Sequence, residues 1–340
     1  MRRLGMMAAV FVVVLAWVQP GAASTVEEFY RGKQIKMVLP TAPGGSTSLY
    51  GFTLAEFMSR HVPGHPTIVP EHRPGAGGAI AAGYVYNAAP KDGTTITMLL
   101  SSMITLQLTQ PGKVKFDIVK YSYVGRIADL PRALIAWHAA GLNTIDDAKK
   151  REVPLGASGQ GSNTVIHPAL LNALVGTKFK IVTGYRGAGD TYLALERGEL
   201  AATTVAWDGL VAQRGDWLKE GKVKVLVRIG YRKIAGFEKV PSLSDLGATA
   251  EDKAVLELVL VPSEIGQAVA APPGVPPDRL AALQRAFNLT MKDTAFLEYT
   301  RKRRMPVKPM TGEELRELIV RGMNVPKSVV QRTMKLIAGL

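Results

Sequence analysis

The chain has 340 residues, a formal net charge of +14 and no cysteine. The last feature excludes thiol catalysis, disulfide staples and cysteine-based metal sites. The charge surplus favours anionic partners, whether a small acid, an acidic membrane surface or nucleic acid. The basic residues are dispersed, however, and the one tight cluster, Arg301 to Arg304, reads as a solvated helix end with no nucleic-acid motif nearby.

The N-terminus reads as a secretory signal. Arg2 and Arg3 make a basic start, residues 6–18 are almost wholly apolar, and Pro20-Gly21-Ala22-Ala23 ends in small residues. The apolar run is too short and wrongly flanked for a membrane span. Cleavage near Ala23 takes away two arginines and no acid, leaving 317 residues at a formal +12, exported to the periplasm.

Residues 35–39 form a short apolar run that enters the turn Pro43-Gly44-Gly45. Ser46, Thr47 and Ser48 follow, then a helical pattern over residues 49–60. A strand, glycine turn and helix start leave the first N–H groups of the helix without intrahelical partners. The helix dipole adds about half a positive charge there, which suits an anion, carboxylate or phosphate. Residues 67–70 read as a second strand, leading to the loop 73–78 and a helix over 79–88; residues 94–100 are a β-rich run ending at Ser101 and Ser102. Strand and helix alternate throughout, the pattern of βαβ units.

Residues 121–127 and 133–137 are extended candidates. The opening device then recurs: a short strand over 154–157, the small-residue turn Ser158-Gly159-Gln160-Gly161-Ser162, and a helix over 164–175. Two such turns in two sequence-separated α/β halves suggest lobes that grip a ligand between them. Tyr185, Arg186 and Gly187 form a loop after a strand, where Arg186 could pair with a carboxylate in bidentate fashion or lie in solvent. Trp207 and Asp208 lie near another strand end; Trp207 and Tyr50 could wall a site or pack in the core. After apolar runs at 255–261 and 267–271, Pro-rich residues 272–277 precede an amphipathic helix over 278–292, and two further helices finish the chain.

Catalytic and cofactor motifs are not found. G-x-S-x-G around Ser158 fails at Gln160. G-x-G-x-x-G fails after Gly75 and after Gly159, and no P-loop exists. His61 and His65 are separated by Pro63 and Gly64, which prevent a shared helical face for a metal. His167, at the second helix start, could face the cleft or serve as scaffold. Neither a cofactor nor a metal is expected.

Seven motifs occur in an order that resembles the periplasmic solute-binding proteins of tripartite tricarboxylate transporters, the Bug family. They are Val38-Leu39-Pro40 to Gly45; Glu71 with Arg73 to Gly78; Pro90 with Asp92-Gly93-Thr94; Ala157 to Ser162; Tyr185-Arg186-Gly187; Val240-Pro241-Ser242 with Asp245 and Gly247; and Ala271 to Pro276. The resemblance implies a two-lobed type II periplasmic binding fold in the α/β class, each lobe a mostly parallel sheet flanked by helices. Residues 24–126 plus 246–340 would form lobe 1 and residues 127–245 lobe 2. It also implies a ligand carboxylate held by main-chain N–H and hydroxyl groups of the two turns, here Gly44, Gly45, Ser46, Ser48, Ser158, Gly159, Gly161 and Ser162. Pro43, Ser101, Tyr185, Arg186 and Asp208 complete the candidate set.

Some positions depart from the family pattern: Ser48 replaces an aspartate, His72 an asparagine, Arg186 a lysine, and Ala194 and Ala201 two acids. These departures suggest a divergent member with a more anionic or aromatic ligand. The function expected is non-catalytic capture of a small organic anion for a membrane permease, by a monomer. A sensor subunit presenting its ligand to a receptor, or an exported α/β hydrolase, are the alternatives.

Overall fold

The computed structural model describes residues 25–338; the signal segment and its cleavage point lie outside them. Helix α1 (Val26–Tyr30) leads into β1 (Gln34–Leu39), α2 (Ser46–Met58), β2 (Thr67–His72), α3 (Ala79–Asn87), β3 (Thr95–Leu100), α4 (Met103–Thr109) and β4 (Ser122–Arg126). The chain then crosses to a second half. This comprises β5 (Arg132–Trp137), α5 (Asp147–Lys150), β6 (Val153–Gly156), α6 (Asn163–Val175), β7 (Phe179–Val182), α7 (Ala188–Glu196), β8 (Ala202–Ala206), α8 (Trp207–Lys219), β9 (Val223–Ile229) and α9 (Ala250–Ile265). It returns through β10 (Gln267–Ala271), α10 (Pro277–Thr290), α11 (Thr294–Lys302), β11 (Met310–Thr311), α12 (Gly312–Met323) and α13 (Lys327–Ile337).

Two sheets result, ordered β11-β4-β10-β3-β1-β2 and β7-β6-β8-β5-β9. Both are mixed, not mostly parallel. The βαβ pairs β1–β2, β1–β3, β6–β7 and β6–β8 are parallel, whereas β10 and β5 run antiparallel to both their neighbours. The cause is the chain path. A strand entered straight from the crossing starts at the inter-lobe side, while a strand of a βαβ unit ends there. Each sheet is buried on both faces, as helix-covered sheets are. Met37 and Leu39 of β1 enter one core with Tyr50 and Phe287, and Val38 between them enters the opposite core with Ala82 and Leu99. In β5, Leu134 and Ala136 face α6 and α9, while Ala133 and Ile135 face Tyr192 and Trp217.

The apolar run 255–261 is part of helix α9, whose Val255, Leu256 and Val259 pack in the second lobe's core. The chain therefore rejoins the first sheet at Gln267, later than the residue 246 expected from sequence. Ile337 of α13 also packs on the second core, so the C-terminus straps across to that lobe.

The two crossings are hydrogen-bonded to one another. Ile127 N donates to Gln267 O at 3.0 Å, Gln267 N to Ala128 O at 2.9 Å, and Leu130 N to Ser263 O at 2.7 Å. Arg126 Nη1 donates to Glu264 O at 2.6 Å and Nη2 to Lys308 O at 3.0 Å, tying both strands to the base of the first lobe. Among the described residues no helix is long and apolar enough to cross a membrane.

Candidate functional site

A cavity of about 210 Å³ lies between the lobes, where the parallel strands end. That end of an open α/β sheet is where connecting turns can gather around a ligand. Five helices of nine residues or more start on its wall. Their N-cap residues Gly45 (α2), Gly78 (α3), Ser162 (α6), Gly187 (α7) and Ala206 (α8) all line it. The first-turn N–H groups of each helix have no intrahelical acceptor, and each start carries about half a positive charge. Thr41, Ser46, Thr47, Ser158, Thr203 and Thr204 line the cavity between these starts. Neither Asp nor Glu lines the cavity among the described residues.

Two backbone sutures close the mouth. On one side Ala42 N donates to Arg186 O at 3.0 Å, and a Cβ placed on Gly44 would sit 3.2 Å from the Gly189 Cα. On the other, a Cβ on Gly159 would sit 2.7 Å from the Gly77 nitrogen. Gly44 and Gly77 have φ of +86° and +62°, conformations that glycine alone adopts without strain. Gln267, the first residue of β10, donates from Nε2 to Ser46 Oγ at 2.8 Å and so fixes the start of α2.

Residues 53–334 match the family model described as the tripartite tricarboxylate transporter family receptor. The chain belongs to this family. Its members bind solutes and are not enzymes. BugT of Bordetella pertussis (strain Tohama I) is 26% identical over 309 residues, covering 88% of this chain and 87% of BugT. The fold matches the periplasmic binding protein BugD with a TM-score of 0.72 at 20% identity, over 90% of this chain and 98% of BugD. It also matches MatC from Rhodopseudomonas palustris with bound malate, at TM-score 0.68 and 21% identity over 90% and 99% of the two chains. R. palustris Rpa4515 with adipate gives 0.70 at 18% identity over 90% and 98%.

Of the residues read from sequence, the receptor brings Gly45, Ser46, Ser158, Ser162, Tyr185 and Arg186 to the cavity wall. Pro43 and Gly44 lie at the suture against Gly189. The Ser48 hydroxyl is buried and donates to Ala42 O at 3.1 Å, which holds the first turn. Ser101 is buried and its hydroxyl has no partner among the described residues; its neighbour Ser102 reaches the wall. Gly159 and Gly161 contact the opposite lobe through Gly77 and Leu106. The Ser158 N–H is taken by Thr164 Oγ1 at 3.0 Å, and the Ser158 and Ser162 hydroxyls share that same oxygen at 3.1 and 2.8 Å. Of the N–H and hydroxyl groups expected to meet a guest at this turn, the Ser158 amide and both serine hydroxyls are therefore already paired with Thr164.

Four charged or aromatic candidates have other partners. The Arg186 side chain is exposed and pairs with Asp190 at 3.4 Å, although the residue lines the wall. Asp208 is buried in an ion pair with Arg232, which also holds Asp129 at 3.1 Å beside the first crossing. Burial pushes the Asp208 carboxyl up, and the Arg232 charge opposes that shift. Tyr50 lies in the first core and donates to Pro306 O at 2.7 Å, while Trp207 packs on Phe237.

Among the cavity residues that the sequence reading missed are Arg132, Asn163 and Thr204. Arg132 opens β5 and stands opposite Ala206 of β8, whereas Thr204 stands opposite Leu134 on the same face. Burial lowers the Arg132 guanidinium to about 10, so it stays charged at neutral pH. It has no hydrogen-bond or ion-pair partner among the described residues. Asn163 Oδ1 and Thr204 Oγ1 are buried and likewise without partners there.

His167, one turn after Asn163 on α6, is core scaffold. Its Nε2 faces Val259 O at 3.4 Å, and its Nδ1 is buried and unpaired among the described residues. Burial lowers the imidazole to about 3, with the Arg132 charge adding to the effect. A group held neutral in the fold gains its proton only on unfolding. Its contribution is therefore present above the unfolded value of 6.5 and lost as pH falls from there toward 3. Between pH 7 and pH 4.5 the wild type should lose about 2 kcal/mol more stability than His167→Leu, read from urea midpoints at the two pH values. Equal losses would rule out a neutral buried imidazole.

Proposed function

We propose that this receptor captures a small organic carboxylate in the periplasm and delivers it to the membrane permease of a tripartite tricarboxylate-type transporter. The observation that carries the reading is the convergence of five helix N-termini, drawn from both lobes, on one cavity without a carboxylate in its wall. A neutral or cationic guest would forgo that potential, and an anion gains from every start it touches. The volume of about 210 Å³ lies below the roughly 300–1,000 Å³ of drug-sized pockets, which suits a compact metabolite. Di- and tricarboxylates and aromatic acids are the candidates. Malate and adipate, bound by two proteins of the same fold, are of that kind. The formal charge of +14 assists encounter with such ligands.

The lobes contribute unlike parts to closure, since the first supplies α2 and α3 and the second α6, α7 and α8. A ligand that bridges them shifts the population toward the closed form. A thermal-shift screen of mono-, di- and tricarboxylates and aromatic acids checks the reading. At about 100 times its Kd a ligand adds roughly 2.7 kcal/mol and raises the melting temperature by a few degrees. A stabilising neutral or cationic solute, with every acid inert, would overturn it.

A further inference from the structure

We infer that Arg132, with Thr204 and Asn163 beside it, makes this cavity select a dicarboxylate over the matching monocarboxylate. The inference rests on the carboxylate reading above and goes further, by assigning the far end of the ligand. The helix starts already provide for one carboxylate without any charged side chain. Arg132 is a separate device. It is carried by the first residue of the antiparallel strand β5, and it is the one charged side chain in the wall without a partner among the described residues. Arg186, the other cation there, is spent on Asp190 and points to solvent.

A desolvated guanidinium costs stability unless an anion meets it. In this fold the polar surroundings do not repay that cost. His167 Nδ1, Asn163 Oδ1 and Thr204 Oγ1 are buried in the same region, and each is without a partner among the described residues. An oxygen-rich end group can accept from the Arg132 guanidinium and the Thr204 hydroxyl together, and a planar carboxylate matches the guanidinium fork. A methyl or phenyl end would leave both unpaired within a closed cavity. Discrimination against a ligand lacking a needed polar group is strong for that reason.

Calorimetric titration of the purified protein with three pairs of acids tests this: succinate and butanoate, glutarate and pentanoate, adipate and hexanoate. At least one diacid should bind about 100-fold or more tightly than its monoacid. Arg132→Gln should reduce that ratio roughly 10- to 100-fold by weakening the diacid alone. The melting temperature of the ligand-free variant should be unchanged or higher, because an unpaired, partly buried cation has gone. Thr204→Val, a near-isosteric change, provides a second reading and should weaken the same diacid about threefold to tenfold.

Equal weakening of diacid and monoacid in Arg132→Gln would overturn the inference, since Arg132 would then hold the only carboxylate. An unchanged ratio in Arg132→Gln would overturn it as well, as would no loss in Thr204→Val if Arg132→Gln failed to fold. Monoacid binding without diacid binding would sink it while sparing the carboxylate reading. If none of the six acids bound the wild type, this inference would fall, and the wider acid screen would decide the carboxylate reading.

Discussion

Gly159→Val is expected to weaken ligand binding roughly 10- to 100-fold while leaving the ligand-free melting temperature unchanged. Gly159 does not use a left-handed backbone, so a side chain there costs nothing in conformation. What it meets is the other lobe. A Cβ would lie 2.7 Å from the Gly77 nitrogen and 3.2 Å from the Ala76 carbonyl carbon, both backbone atoms that cannot rotate aside. Gly77 is itself held at φ +62°, and Gly78 after it at +101°, which leaves that loop little room to yield. The lobes must part by a few tenths of an ångström or more, and valine's two methyls require further opening. Overpacking of this kind costs about 1–3 kcal/mol, and here the cost falls only on the closed form. A ligand held by both lobes then binds more weakly by the same free energy. Titration calorimetry on wild type and variant, with melting curves of the ligand-free proteins, reads both arms. Binding within twofold of wild type would mean that the Gly77–Gly159 contact is no condition for ligand capture.

That contact was half legible in the sequence. Glycine followed by small hydroxyl residues at a strand-to-helix junction is a local signal, and both the α2 and α6 starts were placed from it within a few residues. The signal does not say which glycines serve the ligand and which serve closure. Gly45 and Ser162 cap helices at the cavity, whereas Gly44, Gly159 and Gly161 are small because the opposite lobe passes close by. The difference is set by contacts across more than fifty residues of chain, so no window of sequence contains it. The Ser158 turn illustrates the same limit. Its composition suggested free amides, yet Thr164 folds back to occupy the first of them.

Arg132 was invisible for a different reason. The rule that ligands gather at the C-terminal ends of parallel strands draws attention to turns that follow strands. Arg132 opens its strand and reaches the cavity because β5 runs antiparallel to β8 and β9. Gln267 owes its place on Ser46 to the same reversal in β10. Strand direction follows from the two chain crossings, and single-sequence periodicity does not encode it. A charged residue opening the otherwise apolar run 132–137 was the one available clue. Helix α9 was obscured similarly. Residues 255–261 are apolar apart from Glu257, and a buried helix and a buried strand look alike over that length.

The crossings themselves supply the other large expected effect. Gly266→Ala should destabilise the protein by about 4 kcal/mol or prevent folding, one of the few point changes able to do so. Gly266 follows α9 with φ +59° and ψ −131°, a backbone region that is essentially glycine's own. Strain there contributes about 1–3 kcal/mol. The steric part is added to it, because a Cβ would lie 2.0 Å from the Ala128 carbonyl oxygen and 2.8 Å from the Asp129 Cα. Those atoms belong to the first crossing and cannot retreat cheaply. Ala128 O accepts from Gln267 N at 2.9 Å, and Ile127 N donates to Gln267 O at 3.0 Å. Moving one strand away from the methyl group breaks the pair that holds both crossings together. It also shifts Gln267 from Ser46 and Asp129 from Arg232, so the start of α2 and the buried ion pair are loosened together. Equilibrium urea unfolding of the variant, followed by circular dichroism, provides the measurement. A loss below about 1 kcal/mol would mean that the two strands can separate at little cost. The lobes would then be joined by a loose tether in place of the paired hinge described here.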